Sequence, residues 1–252
     1  MRPQSIAMAM HSFLLKEAPA GMVSLPPEEA RHALTVLRIR VGERVRLSDG
    51  QGGQWLAQVT YAGEGQVSCQ LLDDLAACES PARITLYQGL PKADKLELIA
   101  QKAAELGVWR LCPVAMQRSV ARWQPKEIER KTERLRRISQ EALKQCGRSM
   151  ALCIEPLMSW KQALEDMEAR QLVLMPWEEA KDGRMLALHR AQPDARDIGI
   201  LIGPEGGISQ EEARQASAAG ALPITLGPRI LRCETATIVS CAMVQQLWGD
   251  MS

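Results

Sequence analysis

Several hallmarks of common protein classes are missing from this chain of 252 residues. No apolar run is long enough to cross a membrane, and the N-terminal stretch "MRPQSIAMAMHSFLL" lacks the uninterrupted apolar segment of a signal peptide. The seven cysteines stand singly, without a C-x-x-C pair, and the three histidines are far apart. This pattern predicts neither a disulfide framework nor a metal site. We therefore expect a cytoplasmic protein with no metal and no membrane partner.

Two nucleotide-binding signatures are also missing. The glycine-rich segment "GILIGPEGG" contains no G-x-G-x-x-G, and no G-x-x-x-x-G-K-[ST] occurs anywhere in the chain. These absences argue against a dinucleotide-dependent dehydrogenase and against a P-loop nucleoside triphosphatase.

The net charge of +1 conceals an uneven distribution. Residues 79–150 carry 15 Lys and Arg against 8 Asp and Glu, whereas residues 1–78 carry 7 against 8 and residues 151–252 carry 9 against 14. A local basic region is typical of proteins that bind nucleic acid. It is equally typical of the solvated face of one long helix, and the charge count leaves both interpretations open.

The residue pattern changes near residue 78 and predicts two domains. From about Met22 to Leu75, apolar and polar residues alternate between the turn segments "DGQGG" and "AGEG", which is typical of a small β-barrel. A short helix and then a brief strand are predicted over "PPEEARHALTVLRIRVG". After Pro81, strands alternate with helices, which predicts an α/β domain built on a mostly parallel sheet.

Helices of the second domain carry recognisable start signals. Asp94 followed by Glu97 predicts the N-cap of a helix over "KADKLELIAQKAAELGV", and Ser209 with Glu212 predicts a capping box. A third helix is predicted over "PKEIERKTERLRRISQEALKQCG", with an apolar stripe that reaches Cys146. Glycine stops both the first and the third of these helices.

Three strands in this domain are followed by compact, glycine- or proline-containing motifs. "LMP" ends at residue 176, "LIGPEGG" covers residues 201–207, and "LGPRILRCETA" covers residues 226–236. The carboxyl ends of parallel strands meet at one edge of a sheet, where ligands bind. Each Gly-Pro taken singly also fits a tight turn. The arginines at positions 229 and 232 fit either a phosphate or base contact or a solvent-facing role.

Four motifs in order resemble the RsmE family of the SPOUT superfamily of S-adenosylmethionine-dependent RNA methyltransferases. They are "KADKLELIAQKAAELGV", "EALKQCGR", "LIGPEGGIS" and "LGPRILRCETA". The resemblance covers nearly the whole chain. It implies an α/β fold with a SPOUT-type parallel sheet and a C-terminal trefoil knot over residues 79–252, preceded by a small PUA-like β-barrel over residues 1–78 that helps to hold RNA.

The same resemblance implies an activity. The expected reaction is methylation of N3 of a specific uridine in bacterial 16S ribosomal RNA of the small ribosomal subunit. The methyl donor would be S-adenosyl-L-methionine, and the enzyme would be a homodimer. Two alternatives stay open on this scaffold: methylation of another RNA site such as a ribose 2′-OH, and a non-catalytic RNA-binding protein of ribosome assembly. The intact "GPEGG" and "LGPRILR" favour an enzyme.

Site residues are carried over by matching these motifs. Arg229 would stabilise the negative charge that develops on the base, Glu234 is a weaker candidate for the proton acceptor, and Arg232 would bind the base or pair with Glu234. The donor would contact Leu174, Met175, Pro176, Leu201, Ile202, Gly203, Pro204, Glu205, Gly206, Leu226, Gly227, Ile230, Leu231, Arg232, Thr235 and Ala236. Candidates for RNA contact are Arg38, Arg40, Lys92, Lys95, Lys102, Arg118, Arg122 and Arg148.

Two positions depart from the family pattern. Cys233 stands where the family commonly has Thr, and we expect a buried, inert thiol there, because N3 methylation needs no covalent adduct. The N-terminal "MAMHSFLL" replaces the arginine-aromatic start of many family members, so the first residues carry no predicted RNA contact.

Overall fold

The computed structural model describes residues 10–92 and 94–251, so only Met8 and Ala9 of the N-terminal departure "MAMHSFLL" lie outside the described residues. The chain divides into two compact units. The first comprises Met1–Glu79 and Gln140–Ala151, and the second comprises Ser80–Ser139 and Leu152–Ser252. Residues 140–151 thus pack within the first unit although they follow the predicted boundary.

The first unit is built on a five-stranded sheet with the order β1-β3-β4-β5-β2. β1 pairs with β3 in parallel, and the other pairs are antiparallel. Phe13, Val45 and Leu47 are fully buried in its core, as alternation predicts. The elements are β1 (Ser12–Leu14), β2 (Met22–Ser24), α1 (Pro27–His32), β3 (Arg44–Ser48), β4 (Gln54–Gly63) and β5 (Gln66–Asp74).

The brief strand predicted after α1 was wrong. A π-helical turn, Ala33–Leu37, continues α1, and Arg38 then adopts a left-handed conformation with φ 53°. This conformation ends the helical turn and is incompatible with extended pairing. The next strand therefore begins only at Arg44.

A set of polar contacts joins residues 140–151 to the rest of the first unit. The Gln54 amide donates to the Arg148 carbonyl at 2.8 Å. The Glu79 carboxylate accepts hydrogen bonds from the backbone N–H groups of Ser149 at 2.9 Å and Met150 at 2.8 Å. It also pairs with the guanidinium of Arg148, at 2.8 Å. This pairing of a buried arginine explains why its charge is tolerated there.

The second unit contains a parallel sheet with the order β12-β10-β11-β6-β7-β8, and β9 also pairs with β7. The predicted α/β fold is confirmed. Its elements are β6 (Arg83–Gly89), α2 (Lys95–Glu105), β7 (Arg110–Ala115), α3 (Pro125–Cys146), β8 (Cys153–Ile154), β9 (Met158–Ser159), α4 (Trp160–Met167), β10 (Leu172–Pro176), α5 (Met185–Ala191), β11 (Asp197–Ile202), α6 (Gln210–Ala218), β12 (Ala221–Ile224) and α7 (Cys233–Trp248). The final turns of α3 belong to the first unit.

The central strands of this sheet are buried along most of their length, as is typical of a parallel sheet that is covered on both faces. In β6, every residue from Ile84 to Gly89 is buried, and β11 is buried from Ile198 to Ile202. Tyr87 is the largest fully buried side chain, and its hydroxyl donates to Asp166, which also pairs with Arg110. A buried hydroxyl therefore has the partner it requires.

The helix signals are confirmed in part. The Ser209 hydroxyl accepts the Glu212 N–H at 3.2 Å, and the Glu212 carboxylate accepts the Ser209 N–H at 3.0 Å, so the capping box is present. α2 begins after Asp94, as predicted, but this aspartate makes no side-chain cap within the described residues. Glu97 pairs instead with Arg134 of α3, at 2.6 Å. Its carboxylate therefore makes a contact between two helices in place of the predicted contact at the N-terminus of α2.

The apolar stripe predicted along α3 was wrong at its end. Cys146 is exposed, whereas Ala142 and Leu143 are buried. Successive steps of four residues advance 40° beyond a full turn, so a stripe read in such steps leaves the buried face. Gly107 and Gly147 follow α2 and α3 with φ of 74° and 77°, as a glycine stop predicts.

Candidate active site

A cavity of about 930 Å³ lies at the carboxyl ends of β10, β11 and β12, where the three sequence motifs follow their strands. Arg229 lines it, together with twelve of the residues predicted to contact the donor. These twelve are Pro176, Ile202, Gly203, Pro204, Glu205, Gly206, Leu226, Gly227, Ile230, Leu231, Arg232 and Ala236.

Four predicted donor residues are not part of the lining. Leu174, Met175 and Leu201 are fully buried within their strands, and Thr235 is exposed in the first turn of α7. Leu174, Met175 and Leu201 support the loops that form the cavity, since their side chains fill the core of the sheet next to those loops.

A tight turn after β11 forms one wall of the cavity. The Gly207 N–H donates to the Pro204 carbonyl at 2.9 Å, and Gly207 has φ 71°. A Cβ on Gly203 would lie 2.9 Å from the Gly207 carbonyl carbon, and one on Gly206 would lie 2.9 Å from the Arg118 Cβ. Backbone packs too closely here for any side chain, which is the physical reason for the glycines.

The loops after β10 and β12 run side by side along a second wall. The Trp177 N–H donates to the Ile224 carbonyl at 3.1 Å, and the Thr225 N–H donates to the Gly183 carbonyl at 2.9 Å. A Cβ on Gly183 would lie 2.1 Å from the Pro223 oxygen, so this residue has to be glycine.

Lys95, the first residue of α2, connects two carboxylates at the edge of the cavity. Its Nζ lies 3.1 Å from Glu205 Oε1 and 3.3 Å from Glu234 Oε2. The Lys92 N–H also donates to Glu205, at 3.0 Å, and the Cys233 thiol donates to Glu234, at 3.2 Å. These five residues form a connected polar cluster around the cavity.

The cluster fixes the charge states of its members. The hydrogen bond to Glu205 raises the pKa of Lys95. Burial would raise the pKa of Glu205, but the Lys92 N–H and Lys95 together lower it. Burial would likewise raise the pKa of Glu234. Its own backbone N–H, the Cys233 thiol and Lys95 outweigh this effect, so the pKa of Glu234 is lowered. A lowered pKa makes Glu234 a weaker proton acceptor.

Burial, with Glu234 beside it, raises the pKa of Cys233 to about 12. The side chain is 6% exposed, so the prediction of a buried thiol is confirmed. At neutral pH such a group is protonated and unreactive.

Arg229 and Arg232 are exposed on the loop between β12 and α7, next to Ile230, which is 90% exposed. Neither arginine forms an ion pair or side-chain hydrogen bond with another described residue. Both charges are therefore available to a ligand.

The residues predicted to contact RNA fall into two groups. Arg38 and Arg40 of the first unit are exposed, and so are Lys92, Arg118 and Arg122 of the second. The others have carboxylate partners: Lys95 in the cluster above, Lys102 with Glu105 at 2.8 Å, and Arg148 with Glu79. Arg118 also donates to the Gly206 carbonyl, at 3.2 Å, next to the cavity.

Some lining residues were not predicted as donor contacts. The segment "WEEAKDG" follows "LMP" at the third strand end, and the strand-end argument alone would have included it. Cys233 lies within the predicted strand-end motif "LGPRILRCETA", whereas the proximity of Lys95 in α2 to the cavity has no local sequence signal. The residues concerned are Lys95, Trp177, Glu178, Ala180, Lys181, Gly207, Ile208, Thr225, Pro228 and Cys233.

Within residues 10–92 and 94–251, no three His, Cys, Asp or Glu side chains are grouped so as to hold a metal ion. No described helix combines the length and the apolar character needed to span a membrane.

Comparison with known proteins places these features in a family. A profile described as an RNA methyltransferase domain matches residues 78–245, and one described as an RNA methyltransferase PUA domain matches residues 25–72. The ribosomal RNA small subunit methyltransferase E of Bacillus subtilis (strain 168) is 30% identical over 235 residues, which cover 91% of each chain. The chain belongs to the ribosomal RNA small subunit methyltransferase E family. The predicted family and PUA-like first domain are confirmed.

Solved structures of methyltransferase E relatives share the fold. The enzyme from Neisseria gonorrhoeae, bound to S-adenosyl methionine, superposes with a TM-score of 0.86 at 32% identity, over 96% of this chain and 100% of the other. A putative methyltransferase from Legionella pneumophila, in complex with the same cofactor, gives a TM-score of 0.85 at 30% identity, over 97% and 100%.

Proposed function

We propose that this chain transfers a methyl group from S-adenosyl-L-methionine to N3 of a specific uridine in 16S ribosomal RNA of the small ribosomal subunit. The main support is the cavity formed by three strand-end loops, in a member of the methyltransferase E family. The Neisseria gonorrhoeae relative is bound to the same donor.

The residues of the cavity fit such a donor. Gly203 and Gly206 let backbone approach a ligand, while Ile202 and Leu226 supply apolar surface. When bound, S-adenosylmethionine supplies an electrophilic methyl group on a cationic sulfur. The carboxylate of Glu178 lies beside Gly207 and suits a cationic ligand. We propose that the lining residues of the three loops hold the donor, with Leu174, Met175 and Leu201 supporting them.

Arg229 and Arg232 fit the acceptor base. As the N3 proton leaves, negative charge is shared with the carbonyl oxygens of the base. An unpaired guanidinium at the cavity stabilises that charge through charge-assisted hydrogen bonds. We propose that Arg229 does so and that Arg232 helps to bind the base, because both side chains are exposed and neither pairs with a carboxylate in residues 10–92 and 94–251.

The strand order supports a trefoil knot in residues 79–252. β12 pairs with β10 on the side away from β11, and the chain then returns as α7 to pack against β11 and α2. The segment after β10 packs closely against β12 at Gly183, and α5 contacts α7. A chain that crosses its own connections in this way departs from the usual rules of topology.

Exposed basic residues of both units fit contacts with RNA. We propose that residues 1–78 help to hold RNA through Arg38 and Arg40, and that Lys92, Arg118 and Arg122 contact RNA near the cavity. The protein would act as a homodimer in the cytoplasm, where its ribosomal substrate is found. These basic side chains are exposed and have no carboxylate partner in the described part of the chain, which supports such contacts.

The test is methylation of small subunits that lack the modification. The purified chain is incubated with labelled donor and these subunits, and the modified nucleoside is identified and mapped. We expect 3-methyluridine at one position of 16S ribosomal RNA. Label on a ribose 2′-oxygen would contradict the proposed site, and donor binding with RNA binding but without any methyl transfer would contradict the proposed activity.

A further inference from the structure

Lys95 connects three separate segments of the second unit. It begins α2, Glu205 lies in the tight turn after β11, and Glu234 lies in the first turn of α7. The two carboxylates approach one ammonium group from different elements, at 3.1 and 3.3 Å. Both the turn and the start of α7 contribute lining residues to the cavity.

We propose that Lys95 is a positioning residue, which holds Glu205 and Glu234 together and so fixes the turn after β11 and the start of α7 in the shape that binds the donor. This inference rests on the proposed function, because it takes the cavity to be the donor site. A site that is fixed before the ligand arrives binds more tightly, since less ordering is needed on binding.

The charges of the cluster explain why an ammonium group is needed at this place. Glu205 and Glu234 both lie within contact distance of the same nitrogen, so without it two like charges would be neighbours in a partly buried site. Their side chains are 25% and 16% exposed, so water screens this repulsion only in part. Repulsion would separate the two segments or force one carboxylate to take up a proton.

This role argues against two of the roles predicted from the sequence. Lys95 was a candidate for contact with an RNA phosphate, but two carboxylates at its Nζ already offset its charge. Glu234 was a candidate for the proton acceptor, but its carboxylate already accepts from Lys95 and from the Cys233 thiol. Glu234 therefore acts on the shape of the cavity, through its ion pair, rather than on the N3 proton.

The experiment compares three variants with the wild-type chain. Lys95→Met removes the charge and keeps a long side chain, and Lys95→Arg keeps the charge. Lys102→Met is the matched control, because Lys102 lies in the same helix and pairs with Glu105 of that helix rather than with a residue of the cavity. The dissociation constant for S-adenosylmethionine is measured by isothermal titration calorimetry, together with the thermal unfolding midpoint of each variant.

We expect Lys95→Met to weaken donor binding about tenfold, Lys95→Arg to recover most of that loss, and Lys102→Met to bind as the wild type does. A fourth, double variant distinguishes repulsion from general damage. Adding Glu234→Gln to Lys95→Met removes one of the two like charges, so donor affinity is expected to rise again.

Different results would contradict the role of Lys95 and the proposed function. Donor binding by Lys95→Met that equals the wild type would overturn the inference and leave the proposed function intact, and so would a further loss in the double variant. A wild-type chain that does not bind S-adenosylmethionine would overturn the proposed function itself, and the inference with it.

Discussion

At the scale of single residues, the charged side chains at the cavity are of two kinds: some are exposed to a ligand, and others are held in ion pairs. Arg229 is exposed and forms no ion pair with another described residue, whereas Glu234 pairs with Lys95. A free guanidinium responds to charge that develops on a substrate, and a carboxylate in an ion pair resists protonation. The arginine is therefore the residue whose removal reports most directly on the methyl-transfer step.

We expect Arg229→Ala to lower kcat for methylation of small subunits by about 10²–10³, because one hydrogen-bond donor to the developing negative charge is lost. The dissociation constant for the donor should change by less than about twofold. Single-turnover kinetics and calorimetry check the two quantities separately. Arg214→Ala, which removes a surface arginine paired with Glu211, is the control and should leave kcat unchanged. Near-normal turnover by Arg229→Ala would contradict its role.

Cys233 is expected to resist alkylation because its pKa is about 12 and its side chain is buried. Iodoacetamide at pH 8 should modify the exposed Cys78 and Cys146 first, as peptide mass spectrometry will show. Cys233→Thr, which restores the residue common in the family, should keep kcat. Rapid labelling of Cys233 in the folded protein, or loss of kcat in this variant with donor binding intact, would count against an inert thiol.

At the scale of elements, α6 directly supports the tight turn after β11, since its capping box follows that turn at once. Ser209 and Glu212 satisfy each other's backbone N–H groups, and Glu212 also accepts the Gln117 N–H at 2.7 Å. Glu212 is 5% exposed, so a lost partner would leave a buried donor unsatisfied.

We expect Ser209→Ala to lower the free energy of unfolding by about 1 kcal/mol, the usual cost of a lost N-cap. Glu212→Ala should cost more, because the Gln117 N–H loses its partner in addition to the Ser209 N–H. Urea denaturation provides the measurement. Ser159→Ala is the matched control, since α4 begins with the same kind of capping box but in an exposed position. Equal costs for Glu212→Ala and Ser209→Ala would contradict a role beyond the cap.

Sequence patterns predicted the elements whose signals are local. The capping box at Ser209 and the glycine stop after α2 depend on residues a few positions apart. Glu97 was misassigned because its partner, Arg134, lies in another helix. The role of Lys95 was missed for the same reason, because Glu205 and Glu234 come far later in the chain. Long-range pairs of this kind follow from topology, which propensity and spacing do not specify.

At the scale of the whole molecule, ion-paired carboxylates determine the response to acid. Burial would raise the pKa of Asp166, but the Tyr87 hydroxyl and Arg110 together outweigh burial and lower it. The pKa values of Glu205 and Glu234 are lowered as well. In the unfolded chain these groups titrate near their ordinary values, about 4. Their contribution to stability is therefore complete above about pH 5 and is lost as pH falls through the lower pKa values of the folded state.

We expect urea midpoints to be nearly constant from about pH 7 to pH 5 and to fall steeply below about pH 4.5. Asp166→Asn should be less stable at neutral pH and should show a shallower acid decline, because one of these titrations is absent. Chemical denaturation at a series of pH values checks both statements. A wild-type midpoint that stays constant down to about pH 3 would contradict the ion-pair explanation.

The pairing of β12 with β10 has a consequence for the newly made protein. A nascent chain that has emerged only as far as β11 lacks the third wall of the cavity and the start of α7. The cavity is therefore complete only after β12 and the start of α7 have been synthesised, and a product that stops at β11 lacks residues 225–233 and 236 of the lining. The order of synthesis thus makes the loop after β12 the last of the three walls to form.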